Sequence, residues 1–142
     1  MITLFDSQSH RDQVIALWKA VFGYESAHNE PTLVIDKKLA ADDGLFFVAL
    51  IANQVVGTIM AGYDGHRGWI YSAAVHPEHR KRGAGSLLVS QAERALTGRG
   101  CMKINLQIVA GNESVAAFYA SPGYAVEQRL SMGKRIQENI SS

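Results

Sequence analysis

A single cysteine, Cys101, in 142 residues excludes an intrachain disulfide and a cysteine-rich zinc site. The chain also lacks an excess of charge: 14 Lys and Arg stand against 13 Asp and Glu, a net +1. Broad binding to nucleic acid or a membrane surface needs a pronounced basic excess. Any anion site must therefore come from local clustering. No apolar run reaches the ~18 residues that cross a bilayer. Met1-Ile2-Thr3-Leu4-Phe5-Asp6 has neither a basic n-region nor a long apolar stretch, so no signal peptide is visible. Repeats, low-complexity segments and linkers are missing too. What remains is the profile of a soluble cytoplasmic chain. Its 47% hydrophobic residues suffice for one core, and 1–142 fits one domain, since domains run to roughly 100–200 residues.

Ile2 to Phe5 reads as a first strand. Ser9-His10-Arg11-Asp12 resembles a helix start with a capping hydroxyl. Val14, Leu17, Trp18, Val21 and Phe22 follow as one helical stripe, stopped by Gly23. Gly23 to Pro31 reads as a loop, and Leu33 to Ala41 as a weaker helix with Ile35 and Leu39 inward. Leu45–Ile51 and Val55–Tyr63 are apolar runs joined by Ala52-Asn53-Gln54, which predicts a hairpin. Asp64-Gly65 opens a second reversal before a strand over Trp69–Val75. From Gly83 the period becomes helical, with Leu87, Leu88, Ala92, Ala95 and Leu96. Gly98 and Gly100 end that helix. Lys103–Val109 reads as a strand, Asn112–Ala120 as a short helix, and Tyr124–Leu130 and Ser131–Ile136 as two closing strands. The order β-α-α-β-β-β-α-β-α-β-β predicts an α/β or α+β domain with one mixed, mostly antiparallel sheet flanked by helices. Trp69–Val75, helix, Lys103–Val109 is a β-α-β unit, so those strands should be parallel. Ligands in such sheets sit beyond the strands' carboxyl ends, here near Val75, Gly85 and Asn112.

Between that strand and helix lies Val75-His76-Pro77-Glu78-His79-Arg80-Lys81-Arg82-Gly83-Ala84-Gly85-Ser86. Gly83 and Gly85 open a helix whose first amides have no intrahelical partner, and free N–H groups at a positive dipole end attract an anion. Arg80, Lys81 and Arg82 add charge. Charge-assisted hydrogen bonds contribute roughly 1.5–3 kcal/mol each. Four or five to a pyrophosphate could approach the ~8 kcal/mol of a micromolar complex. A P-loop would end in Gly-Lys-Ser/Thr, but Ser86 follows Gly85 directly. A dinucleotide fingerprint would put a third glycine where Leu88 stands and an acidic residue ~20 positions on. Neither fits.

Arg80-x-x-Gly83-x-Gly85, after Val75-His76-Pro77, resembles the coenzyme A motif of the GNAT acetyltransferase superfamily. Asn112, Phe118-Tyr119 and Gly123-Tyr124 resemble a second signature of that family, and the element order is similar along nearly the whole chain. Gly62-Tyr63-Asp64-Gly65-His66-Arg67-Gly68 and Ser131-Met132-Gly133-Lys134-Arg135 resemble the small bacterial YpeA-type members. The resemblance implies an acetyl-CoA-dependent N-acetyltransferase with no metal. In it, the Arg80–Gly85 segment, with Ala84 and Ser86, holds the pyrophosphate. Ala73, Ala74 and Val75 pair their backbone with the pantetheine arm, and Asn112 hydrogen-bonds it while also suiting an N-cap. Tyr119 matches the general acid that protonates the departing thiolate. Pro122 stands where the family usually has leucine. The implied partner is an amine, of a small molecule or a peptide N-terminus; a homodimer is compatible.

The base is not legible. In the ribosomal-protein branch a glutamate stands where this chain has Gln107, and Trp69–Val75 carries no carboxylate. A lysine-like amine of pKa ~10.4 costs roughly 4 kcal/mol to neutralise near pH 7.5, an α-amine near 8 under ~1. The acceptor is thus a low-pKa amine, or Asp64, His66 or Glu78 reaches it through water. The alternative function is a catalytically silent acyl-CoA-binding sensor or scaffold. His76-Pro77-Glu78-His79 is not H-E-x-x-H, and Cys101 reads as a packed thiol. Glu25, Glu30, Asp36, Asp42 and Asp43 form either a solvated face or an attraction for a cationic amine.

Overall fold

Three apolar runs separated by tight turns build the middle of the protein. In the computed structural model, which describes residues 1–23, 30–109 and 111–136, they are β2 (Phe46–Ile51), β3 (Gln54–Tyr63) and β4 (Gly68–Val75). They pair antiparallel in that order. Ala52 and Asn53 turn the first hairpin with φ of 50° and 65°, leaving Ile51 opposite Gln54. A two-residue loop with both φ positive matches the twist of its strands. Asp64 shapes the second turn, its Oδ1 accepting from the His66 and Arg67 amides at 2.7 Å each. β1 (Ile2–Leu4) pairs antiparallel with β2, and β5 (Ile104–Leu106) pairs parallel with β4. The sheet order is β1-β2-β3-β4-β5, the mixed, mostly antiparallel plan that the sequence predicts.

Strands β2, β3 and β4 divide their side chains between two cores. Phe46 and Val48 join Val14, Leu17 and Trp18 of α1 (Ser7–Val21) and Ile35 of α2 (Pro31–Ala41). Phe47 and Ala49 join Leu88, Val89, Ala92 and Leu96 of α3 (Ala84–Thr97). This is the period-two alternation of a sheet covered on both faces. Tyr119, on α4 (Glu113–Ala120), belongs to the α3 core. No helix among the described residues is long and apolar enough to cross a membrane.

Several local expectations are corrected. α1 starts earlier, at Ser7, because Asp6 and not Ser9 caps it: the Asp6 carboxylate accepts from the Ser9 amide at 2.9 Å. Hydrogen bonds from Ser9 hold that carboxyl below its ordinary pKa. Phe22 lies past the helix end and is half exposed, as is Leu87 in the first turn of α3. β5 is three residues long rather than seven. The two closing strands are absent among the described residues: 124–136 is irregular. Val126, Leu130, Met132 and Ile136 are all at least 88% exposed, so no apolar burial offsets the ordering a strand requires. Side chains tether the segment instead, Asn105 donating to Glu127 at 2.8 Å and Gln107 to Ser131. The loop expected from Gly23 to Pro31 falls mostly outside the described residues.

α2 departs most from expectation. Its inward residues are Ile35 and Lys38, while Leu39 is 39% exposed. Lys38 Nζ donates to Asp43 at 2.8 Å, to the Tyr71 hydroxyl at 2.6 Å and to the Ala61 carbonyl. A buried ammonium is tolerated because all three donors are used. Lys38→Met should therefore lower stability by about 1–3 kcal/mol, the cost of stranding buried acceptors. Urea unfolding would read this as a lower midpoint at unchanged slope; an unchanged midpoint would show that the pairing contributes nothing.

Candidate functional site

β5 accompanies β4 only from Gly68 to Ile70. Beyond that point the β4 edge from Tyr71 to Val75 has no strand on its outer side among the described residues, and its outward backbone groups, apart from the Val75 carbonyl, can pair with an extended ligand. β4 also carries a bulge. Thr58 faces Ala74 and Met60 faces Tyr71, so Ile59 alone stands opposite Ser72 and Ala73. Ser72 accommodates the extra residue at φ 50°, which re-aims the strand. Nothing in the sequence marked this bulge, since serine carries no glycine-like signal for positive φ.

From Val75 the chain passes through a short 3-10 turn, Pro77–His79, to the start of α3. Arg80 folds back, its Nε donating to the Val75 carbonyl at 3.2 Å, which ties the loop to the strand end. Lys81 has φ 65° and Gly83 φ 88°. Gly83 is the N-cap, no side chain among the described residues caps the helix, and no acidic residue occupies its first turn. The first intrahelical bond runs from Leu87 N to Gly83 O at 3.0 Å, so the amides of Ala84, Gly85 and Ser86 lie ahead of the ladder. Arg80, Lys81 and Arg82 are exposed around them. This uncapped, positively surrounded helix start can hold a phosphate group.

The two glycines differ in role. A Cβ on Gly83 would meet none of the described residues within 4 Å, whereas one on Gly85 would sit 3.2 Å from Phe118 Cζ and 3.7 Å from Val75 Cγ2. Gly85 thus lets α4 pack against the start of α3, a reason that the spacing alone did not reveal. The same contact brings the end of β4, the mouth of α3 and the Phe118-Tyr119 pair together.

Asn112 caps α4, its Oδ1 accepting from the Val115 amide at 3.4 Å and the Ser114 hydroxyl at 3.2 Å. Its Nδ2 bonds to none of the described residues. At the other end Gly123, at φ 107°, donates to Ala120 O, and Tyr124 N donates to Tyr119 O, both at 3.0 Å. That pair of bonds closes the helix in a Schellman turn, and Pro122 inside it is accommodated because neither bond needs its nitrogen. Tyr124 then packs edge-on against Tyr119 at 5.6 Å, with Phe118 at 5.0 Å, and its hydroxyl donates to Glu93 of α3 at 2.8 Å. The Gly123-Tyr124 signature is thereby explained as a device that fixes Tyr119. The Tyr119 ring is buried, its hydroxyl bonds to none of the described residues, and burial raises its pKa above the ordinary 10.0. It is neutral, and a donor, through physiological pH.

The candidate bases fare unequally. Asp64 is consumed by its turn and by Trp69 Nε1 at 3.2 Å, and its backbone bonds from Arg67 and then His66 lower its pKa. It is a poor proton acceptor. His66 is exposed beside Arg67, and Glu78 is exposed in the 3-10 turn. Gln107 is engaged with Ser131. Among the acidic residues, Glu30 caps α2, Asp36 pairs with Arg11 at 2.9 Å, Asp43 holds Lys38 and Asp42 ends α2 at φ 49°; Glu25 lies outside the described residues. Local structure accounts for those four. Cys101 is buried against Gly68, its thiol donating to the Lys103 carbonyl at 3.3 Å.

The sequence model of the Acetyltransferase (GNAT) family matches residues 11–124. A protein named acetyltransferase SG1711, from Sodalis glossinidius (strain morsitans), is 42% identical over 129 residues, covering 90% of each chain. The fold resembles that of Ard1 from Thermoplasma volcanium, with a TM-score of 0.78 at 21% identity over 89% of this chain and 83% of that one. It also resembles the PaiA N-acetyltransferase from Thermoplasma acidophilum, solved in complex with coenzyme A, with a TM-score of 0.77 at 17% identity and 91% of each chain covered.

Proposed function

The chain belongs to the GNAT acetyltransferase family, and from that premise we propose that it transfers the acetyl group of acetyl-CoA to an amine by direct attack. Residues 1–142 act as one cytoplasmic domain in this reading. The observation that carries it is the continuity of the unpaired β4 edge with the uncapped start of α3. The pyrophosphate sits on the amides of Arg80–Ser86, flanked by Arg80, Lys81 and Arg82. The pantetheine arm runs along Ala73, Ala74 and Val75 as an added strand, within reach of the Asn112 amide. Beside the bulge, the Ala73 N–H faces the carbonyl oxygen of the thioester, where negative charge develops.

The amine nitrogen bonds to the acetyl carbon and the carbon–sulfur bond breaks. Coenzyme A leaves as a thiolate that takes a proton from Tyr119, while the amine's own proton passes to water, from which Tyr119 is reprotonated. With Asp64 committed to its turn, an acceptor of low pKa suits this site best: a small-molecule amine or a peptide N-terminus.

Acetyl-CoA should raise the melting temperature, because a ligand selective for the folded state adds about 2.7 kcal/mol at a hundred times its Kd. Thermal shift against ATP and NADH tests the coenzyme. An equal shift with ATP would refute it. Thiol release from acetyl-CoA across amines, amino acids, polyamines and N-terminal peptides tests the transfer. Binding without release from any of them would favour a silent acyl-CoA sensor.

A further inference from the structure

Thr58 is wholly buried in the middle of β3, where a valine of the same shape would fill the space equally well. A buried hydroxyl is unfavourable unless both its roles are used, and here they are. Trp18 Nε1 donates to Thr58 Oγ1 at 2.8 Å, and Thr58 Oγ1 donates to the Ser72 carbonyl at 3.0 Å. An indole nitrogen can only donate and a hydroxyl has one proton. The direction of the chain is therefore fixed: Trp18 to Thr58 to Ser72. Trp18 is itself buried on α1, so the brace runs from a helix through one strand into the next.

It ends at the bulge, where Ser72 holds φ 50°, a conformation that a non-glycine residue adopts only under constraint. In a planar trans peptide the N–H points opposite to the preceding C=O, and none of the described residues has a cis peptide. Drawing the Ser72 carbonyl toward β3 thus turns the Ala73 N–H to the unpaired edge of β4. Resting on the acetyl-CoA reading above, we infer that Thr58 and Trp18 are positioning residues that aim the Ala73 amide at the thioester carbonyl. They touch neither substrate. Their effect is on the reacting carbonyl and not on the remote grip of the coenzyme.

The test compares Thr58→Val, Thr58→Ser and Trp18→Phe with the wild-type chain. The readouts are calorimetric affinity for CoA and for acetyl-CoA, and isotope-edited infrared spectra of bound acetyl-CoA labelled at the carbonyl carbon. Where an acceptor is in hand, kcat and KM are added. Thr58→Val should keep CoA affinity within about twofold, shift the carbonyl band toward its position in free solution, and lower kcat roughly tenfold at unchanged KM. A loosened donor costs less than a deleted one, whose loss costs about 10²–10³-fold. Thr58→Ser, which keeps the hydroxyl, should restore band and rate. If Thr58→Val does not fold, Trp18→Phe is decisive: a smaller shift of the same sign supports the brace, an unmoved band overturns it. Equal impairment in Thr58→Val and Thr58→Ser would mark a packing role and also overturn it. A wild-type chain that binds neither CoA nor acetyl-CoA defeats the functional reading itself, a result distinct from variants that bind both with an unmoved band.

Discussion

Gly83→Val is expected to weaken acetyl-CoA binding about a hundredfold while leaving the protein folded, and Gly85→Val to lower stability first. Gly83 sits at φ 88° with none of the described residues within 4 Å of where a Cβ would be. Valine there collides with none of them; its cost is conformational. A β-branched residue at positive φ is an outlier, so the loop relaxes and the amides of Ala84, Gly85 and Ser86 lose their common aim. Losing two charge-assisted bonds, at about 1.5–3 kcal/mol each, removes 3 kcal/mol or more, and every 1.4 kcal/mol is about tenfold in affinity. Gly85 is different. Its Cβ would press on Phe118 at 3.2 Å and 3.4 Å, an overpacking that costs about 1–3 kcal/mol. Calorimetry with acetyl-CoA beside thermal unfolding separates the two. Wild-type affinity in a folded Gly83→Val variant would remove the loop from coenzyme binding.

The same pair of glycines shows what the chain disclosed before its structure did. The spacing Gly83-x-Gly85 after a strand was enough to find the loop, because a helix start without side chains is visible in one dimension. The division of labour was not, because it depends on Phe118, which arrives from an element 33 positions on. Strands β2, β3 and β4 were legible from apolar runs bounded by Asn53 and Asp64-Gly65. Their local chemistry dominates, and the hairpins follow from it. Lys38 and Leu39 were exchanged because helical periodicity weighs an apolar residue above a lysine. Only the tertiary partners Asp43, Tyr71 and Ala61 reverse that preference. Closing strands were expected over Tyr124–Leu130 and Ser131–Ile136, yet Val126, Leu130 and Met132 find no core to enter. A short segment with apolar residues is not a strand until a partner buries them. The bulge at Ser72 had no sequence signal at all.

Tyr119→Phe is expected to leave acetyl-CoA affinity nearly unchanged and to lower kcat by at least tenfold. Affinity is kept because the ring stays: it packs edge-on against the rings of Phe118 and Tyr124, and the hydroxyl has no partner among the described residues to leave stranded. Rate is lost because the thiolate must then take its proton from water. General acid catalysis contributes about 10²–10⁴-fold, and water as a substitute donor recovers part of that. The pH dependence carries a sign. Desolvation by burial raises the Tyr119 pKa above 10.0, and the neutral phenol is the acid. The group therefore remains competent across neutral and mildly alkaline pH, and kcat should not fall there on its account. The linked stability runs the same way: it is fully present below the unfolded pKa and is lost as pH rises through the higher folded one. Steady-state kinetics from pH 6 to 9 on both proteins, with calorimetric Kd for acetyl-CoA, decides the matter. Equal kcat in the two would dismiss Tyr119 as the acid. A weaker Kd with unchanged kcat would make its hydroxyl a contact to the pantetheine arm.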